Sequence, residues 1–379
     1  MAVFLSSRQC VNSYFRPQQT VRLKNVVGNP IQALSWFSID YARSVNSVGG
    51  MTLVLPKSIP YQMLTVDNRI EVYRTIDGSS TTLDMDTSWL IKSIRQVYEE
   101  SGKQYWEVTC EDFKTIIKSR IVAYNKGTAQ ARKATYSDNL LKAVMRENIG
   151  SSAISGRNIS SYLSIQADSS LGAVIYKEME YRNLDEIFGE VIEASLATSK
   201  PVYFDIVMTG STNATPEFRT YMYQRGDDHR AGKTGAIILS PGNGNVGPFS
   251  VTDSYIDEAT YVYAIGPGNL GAIMIQAASD ATKIGRSPWG RIEKTVNVNS
   301  TEANMLTEEA NAELQLSRSR KVVEGSILQT SRYQYGRDWK FGDRMTFNPQ
   351  PNNSFDVRVD AVHVSVSQQQ ESVESYFRN

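Results

Sequence analysis

Period-two alternation broken by turns fills both ends of this sequence, and it limits those ends to β-structure. Successive side chains of a strand point to opposite faces, so alternating apolar and polar residues mark a sheet with one buried face. Residues 33–40 alternate in this way, and Met51-Thr52-Leu53-Val54-Leu55 follows the Gly49-Gly50 turn. Arg69-Ile70-Glu71-Val72-Tyr73-Arg74 runs into Asp77-Gly78, and residues 89–98 face 105–110 across Ser101-Gly102 as a predicted hairpin. Residues 321–330, 344–347, 357–367 and a short run at 372–376 read the same way at the other end. Twenty Tyr, with many Val, Ile and Thr, add to the preference for strands.

The middle of the chain differs. Ser137-Asp138-Asn139 supplies an N-cap candidate before Leu140, Leu141, Val144 and Met145, whose spacing predicts a helix stopped at Gly150. A second helix is predicted over 183–197, where Leu184, Ile187, Phe188, Val191 and Ile192 share a face. Pro201 then opens a strand over 202–208. Residues 210–250 are rich in Gly, Asn, Asp, Pro and Thr and read as long loops on a β scaffold, suited to an interface or binding edge. Strands are expected again at 259–265 and 272–277. A third helix is expected at 302–317, with Met305, Ala312 and Leu316 on its inner face.

At 379 residues the chain exceeds one ordinary core. The expected division is an arm (1–20), a first β-barrel domain (21–118), a helix-containing domain (119–200), a β- and loop-rich region with one helix (201–320), and the C-terminal part of a second barrel (321–379). The 201–320 region is expected to contribute partly to that second barrel. Forty basic residues balance forty acidic ones, which gives no reason to expect a nucleic-acid or membrane-surface partner. Two cysteines, Cys10 and Cys110, make no disulfide framework and read as thiols in a reducing compartment. No apolar run reaches the roughly 20 residues a membrane helix needs, so no stable membrane binding is expected. The N-terminal Met1-Ala2-Val3-Phe4-Leu5 lacks the pattern of a signal peptide.

The two β-rich ends echo each other. Asn68-Arg69-Ile70-Glu71-Val72 has the pattern of Asp343-Arg344-Met345-Thr346-Phe347, a turn residue, an Arg and an alternating strand. Each is followed by a longer alternating strand, beginning near Leu90 and near Val357, and then by a closing strand. Two related barrels would produce this order; two unrelated antiparallel sheets remain the alternative.

The passage Tyr335-Gly336-Arg337-Asp338-Trp339-Lys340-Phe341-Gly342-Asp343-Arg344-Met345 resembles a signature of bacteriophage tail-hub proteins. It follows an acidic Leu306-Thr307-Glu308-Glu309-Ala310 helix turn, as in that family. Val359-Asp360-Ala361-Val362 and Glu371-Ser372-Val373 are similar too. So are Val108-Thr109-Cys110-Glu111-Asp112-Phe113, Ser119-Arg120-Ile121-Val122 and the helix opening Asp138-Asn139-Leu140. The resemblance implies a mainly β fold with α+β inserts and two tube-like antiparallel β-barrels per chain. It also implies a homotrimeric ring matching a six-fold tube above to a three-fold spike or fibre below. Its implied partners are a distal tail or tail-tube ring, the tape-measure protein, and a central tail spike or fibre, with DNA passing through the lumen. The implied location is the virion tail tip, assembled in the host cytoplasm. Asp338, Trp339, Phe341, Gly342, Asp343 and Arg344 are its structural signature. A receptor- or carbohydrate-binding tail protein is the alternative.

Fragments that imitate enzyme motifs fail on particular residues. Gly266-Pro267-Gly268-Asn269-Leu270-Gly271 spells a dinucleotide fingerprint, but the apolar run after it reads as a strand where the pyrophosphate site needs a helix. Gly242-Asn243-Gly244-Asn245-Val246-Gly247 meets Pro248 at once. Gly232-Lys233-Thr234 ends like a phosphate-binding loop, but the position requiring Gly is Asp227. Asp227-Asp228-His229 holds competent metal ligands, yet neighbours in sequence rarely aim at one ion, so a solvated loop is expected. Two His and two Cys leave little for a nucleophilic triad. No catalytic residue, cofactor or metal is expected.

Overall fold

The alternation at the two chain ends becomes one continuous sheet. A computed structural model describes residues 18–76, 81–123, 132–179, 181–210, 215–268, 273–330, 332–367 and 370–379. Most of the 1–20 arm, with Cys10, and the Asp77-Gly78 turn lie outside the described residues. The N-terminal strands are β1 (Gln18–Lys24), β2 (Pro30–Leu34), β3 (Ser38–Ser44), β4 (Ser47–Pro56), β5 (Arg69–Thr75), β6 (Thr81–Leu83), β7 (Trp89–Tyr98) and β8 (Gln104–Asp112). The β7–β8 hairpin has the expected partners, from Trp89 opposite Asp112 to Tyr98 opposite Gln104. The single run expected at 33–40 is split, because β2 pairs with β1 while β3 pairs with β4. A change of partner leaves no mark on alternation.

The middle of the chain builds two smaller cores. It runs through α1 (Thr115–Lys118), β9 (Arg132–Tyr136), α2 (Ser137–Asn148), β10 (Ser164–Ile165), β11 (Val174–Glu178), α3 (Leu184–Leu196), β12 (Val202–Thr209) and β13 (Thr215–Met222). Asn183 caps α3, its side-chain oxygen accepting the Asp185 N–H at 2.8 Å. The predicted stripe Leu184, Ile187, Phe188, Val191 and Ile192 is buried, together with Leu140, Leu141, Val144, Met145, Phe204 and Phe218. Then come β14 (Asp228–His229), β15 (Ile238–Leu239) and β16 (Val246–Ser254). Residues 210–250 are therefore less loop-like than their composition suggests. β13 pairs with β12 along its length, and β16 is an edge strand whose side chains are largely exposed on both faces, leaving no alternation to read.

The third core belongs to β17 (Tyr261–Ile265), β18 (Ile275–Ser279), α4 (Ala281–Ile284), β19 (Glu293–Asn297) and α5 (Ala303–Leu316). Val262, Ala264, Leu306 and Ala310 fill it. The buried stripe of α5 is thus Leu306 and Ala310, rotated from the expected Met305 and Ala312, because the helix lies across β17 and β18. Among the described residues no helix is long and apolar enough to cross a membrane.

β20 (Arg320–Ile327), β21 (Arg344–Gln350), β22 (Asn353–Ser367) and β23 (Gln370–Arg378) complete the chain. The main path of the large sheet is β16-β20-β23-β22-β3-β4-β8-β7-β5-β1-β2, with β6, β14, β15 and β21 attached beside it. The two ends of the chain meet where β22 pairs with β3, from Ala361 opposite Ser44 to Ser367 opposite Ser38. Their apolar faces fuse into one core in which Ile39, Tyr41, Leu53 and Val108 lie with Phe347, Val362, Val364 and Phe377.

Candidate functional site: the duplicated turn and its charged seam

The signature residues form the approach to β21. Trp339, Phe341 and Asp343 are each 1% exposed. The Tyr335 and Trp339 rings lie 5.1 Å apart. Asp338 accepts the Gln334 N–H at 2.8 Å and pairs with Arg337, which closes the preceding loop. The Phe341 ring lies beneath two guanidinium groups, Arg43 at 5.5 Å and Arg225 at 5.0 Å. Gly342 has φ +86, and a Cβ there would fall 2.7 Å from Arg225 Cδ, so the turn needs glycine twice over. Arg344 reaches Asp356 at 3.0 Å.

The sequence echo is repeated in hydrogen bonds. In the N-terminal copy Asp67 N–H donates to Ile91 O and Ile91 N–H to Asn68 O, both at 2.9 Å. In the C-terminal copy Gly342 N–H donates to Val359 O at 3.1 Å and Val359 N–H to Asp343 O at 2.8 Å. Asn68 N–H reaches Thr65 O, as Asp343 N–H reaches Lys340 O. Asp67 and Gly342 both have positive φ. A bulge follows in each copy, between Ile91 and Ser93 and between Val359 and Ala361, which are equivalent places. Strand order repeats as well: β3-β4-β8-β7-β5 in one copy, β16-β20-β23-β22-β21 in the other. The third core is inserted between β16 and β20, where the first copy has only the short β3–β4 turn.

Between the copies lies a buried charged seam that the sequence reading missed. Arg43, fully buried, donates to Asp112 at 3.0 Å, to Asp205, to Met85 O at 2.6 Å and to Ile206 O at 3.0 Å. Arg225 donates to the other oxygen of Asp205 at 2.9 Å. Burial opposes ionisation of Asp205, but Arg43, Lys114 and Arg225 outweigh it and hold the carboxyl below its usual range. A second cluster has Asp84 accepting from Tyr41 at 2.6 Å and Tyr335 at 2.9 Å, with burial and the facing carboxylate pushing both phenols well up. Arg74 donates to Tyr335 O at 2.7 Å and pairs with Glu371. The one available signal was alternation, which places Arg43 on the inward face of β3 with Ile39 and Tyr41.

Elsewhere the enzyme-like fragments act as backbone. Gly266 N–H donates to Met274 O, and β17 and β18 pair antiparallel across the fragment, of which 269–272 lie outside the described residues. Gly242–Gly247 forms a short turn with Gly244 at φ +63 and enters β16. Asp228 and His229 form a short strand parallel to β21, unlike the expected solvated loop, and this brings His229 to Asp343. Two shallow cavities of about 490 and 440 Å³ open beside Arg230 and Arg344 and beside Ile238 and Tyr333. No Asp, Glu, His or Cys lines either one.

The family model for Siphovirus ReqiPepy6 Gp37-like proteins matches residues 25–377. The chain belongs to that family. The resemblance to phage tail-hub proteins is borne out by this match and by the solved structures of similar fold. A 43 kDa tail protein from prophage MuSo2 of Shewanella oneidensis is 12% identical, with a TM-score of 0.51 over 95% of this chain and 97% of that one. A tail protein from Neisseria meningitidis is 12% identical, with a TM-score of 0.50 over 96% of each chain. A chain of the Francisella PdpA-VgrG complex is 8% identical, with a TM-score of 0.52 over 96% of this chain and 52% of that one. No curated protein matches the sequence. This Gp37-like protein is therefore mainly β, and it shares its fold with phage tail proteins.

Proposed function

We propose that this Gp37-like chain is a hub subunit of a phage tail tip or baseplate, assembling as a trimeric ring that closes the tail tube. The observation that carries the reading is the duplication within one sheet. Two copies of one strand order, joined where β3 pairs with the far half of β22, would give each chain two wall segments and a trimer six. Such a ring fits a six-fold tube or distal tail ring on one side and a three-fold spike or fibre on the other, consistent with the preference of assemblies for closed symmetry. In this reading residues 21–118 and 321–379, with strands from 201–320, form two tube-like barrels. Residues 338–344 maintain the fold of the second, and the chain has no catalytic role. Its lumen would pass the tape-measure protein and DNA. Mass photometry of the purified chain, alone and with its neighbouring tail proteins, tests this: the expected species is three copies of the 42.3 kDa chain. A monomer under both conditions overturns it.

A second reading, a receptor- or carbohydrate-binding tail protein, draws on the third core. Its outer loops expose Ile256 (91%), Trp289 (86%) and Tyr255 (55%), and exposed Trp and Tyr rings suit contact with a receptor or sugar. A glycan-array signal lost in Trp289→Ala would favour it.

A further inference from the structure

The parallel pairing of β14 with β21 brings two neighbouring side chains, Asp227 and His229, to the distant Asp343. Asp227, His229 and Asp343 each offer a ligand atom, all within 4.8 Å of one another. Three details of this cluster point to a bound cation. First, His229 Nδ1 lies 2.9 Å from Gly235 O, and a carbonyl can only accept, so Nδ1 carries a proton. In the neutral ring this turns the Nε2 lone pair toward Asp343, the arrangement by which a backbone carbonyl commonly orients a metal-binding imidazole. Second, Nε2 and Asp343 Oδ2 are 3.4 Å apart. That is longer than a good N–H···O bond of about 2.7–3.2 Å. It matches the roughly 3.4 Å between two ligands that each sit about 2.0–2.1 Å from one tetrahedral ion. Third, Asp343 is fixed before any ion arrives: its two oxygens accept the Asp227 and Lys340 N–H groups, each at 2.7 Å.

The other copy of the turn supplies a control. Its equivalent residue is Asn68, an amide that donates to Met63 O and cannot serve as an anionic ligand. The cluster is thus peculiar to the C-terminal copy, where the 225–239 segment crosses β21.

We propose that Asp227, His229 and Asp343 bind one divalent cation of the zinc class. One imidazole nitrogen and two carboxylate oxygens suit zinc and its borderline neighbours better than calcium or magnesium, which prefer oxygen alone. Asp227 is exposed and leaves the ion open to water on one side. The ion would clip the 227–229 segment to the turn before β21, fastening the middle of the chain to the C-terminal copy.

The full chain, stripped with a chelator and dialysed, is titrated with zinc while bound metal is measured by elemental analysis and unfolding by calorimetry. The expected result is one saturable equivalent and a rise in the unfolding temperature, since a ligand that binds only the folded state stabilises it. His229→Ala and Asp227→Asn, both away from the buried core, should each weaken binding at least about tenfold. No binding at micromolar zinc overturns the proposal, as does unchanged binding in both variants. Zinc should also shift the His229 ring resonances in an NMR spectrum. If they stay where they were, a proton fills the gap between His229 and Asp343, and the proposal falls.

Discussion

The turns at Asp67-Asn68 and Gly342-Asp343 make the same backbone hydrogen bonds and lead into equivalent strands, yet they live in different surroundings. Val66 is 52% exposed, whereas its counterpart Phe341 is 1% exposed beneath Arg43 and Arg225. Asp67 faces outward and pairs with Lys92, while Gly342 is pressed against Arg225. Asn68 makes a local amide contact, but Asp343 gathers the backbone of two segments and the His229 ring. Burial pushes the Asp343 carboxyl up to about 6. The scaffold was kept in both copies, but only at the C-terminal turn does the residue opening the strand also bind the backbone and ring of the 227–229 segment.

The largest expected effects fall where the copies differ most in burial. Phe341→Ala should destabilise the fold by about 3–5 kcal/mol, while Val66→Ala should stay within about 0.5 kcal/mol, both read from denaturant unfolding midpoints. Equal costs would break the comparison. Where both positions are buried, as at Trp339 and Leu64, both alanine variants should be costly, Trp339→Ala by about 3–5 kcal/mol. Arg43→Met probes the seam that ties the N-terminal copy to β12 in the middle of the chain. It strands Asp112 and Asp205 with fewer cations and should cost about 3–5 kcal/mol, with loss of cooperative unfolding if the halves separate.

A smaller contrast is backbone strain. Gly342→Ala should cost about 1–3 kcal/mol from its positive φ and its overlap with Arg225. Asp67→Gly should change stability by no more than about 0.5 kcal/mol, because φ +66 there is already met in open surroundings.

The smallest effect concerns His363, which lies on β22 and bridges β3 to β23 at the outer face of the seam. Its hydrogen bond to Asp40 raises its pKa, against the effect of partial burial. A base with a raised folded-state pKa binds its proton more tightly in the folded chain. Its contribution is therefore complete below its unfolded value near 6.5 and disappears as pH climbs through the folded one. Solvent screening limits this to below about 1 kcal/mol. A thermal-unfolding pH profile should lose that step in Asp40→Asn; an unchanged profile would assign it elsewhere.

Much of the fold was legible because alternation and helical spacing are local. The β7–β8 hairpin, the strands at 357–367 and 372–376 and the five-residue stripe of α3 each follow from neighbouring residues, whereas the cap expected at Ser137-Asp138-Asn139 makes no side-chain bond to the start of α2. The repeat was legible too, as a turn followed by a strand. Unreadable were the features set by distant partners: the break between β2 and β3, the exposed edge strand β16, and the fusion of both ends through β3 and β22. The same limit hid the seam and the cluster of Asp227, His229 and Asp343. Nothing near Arg43 announces Asp205, and nothing near His229 announces Asp343, because their meeting is decided by strand pairing across the fold. The signature at 338–344 was visible as a sequence pattern, but not the guanidinium groups that cover Phe341.

The central claim is that one chain supplies two equivalent wall segments to a three-chain ring. Cryo-electron microscopy of the assembled particle, with the chain and its neighbouring tail proteins, tests it most directly. The account predicts a closed ring of three chains whose six β-walls, two per chain, surround the lumen in near six-fold arrangement. A ring with one wall segment per chain, or a chain that joins the tail outside any ring, would contradict it.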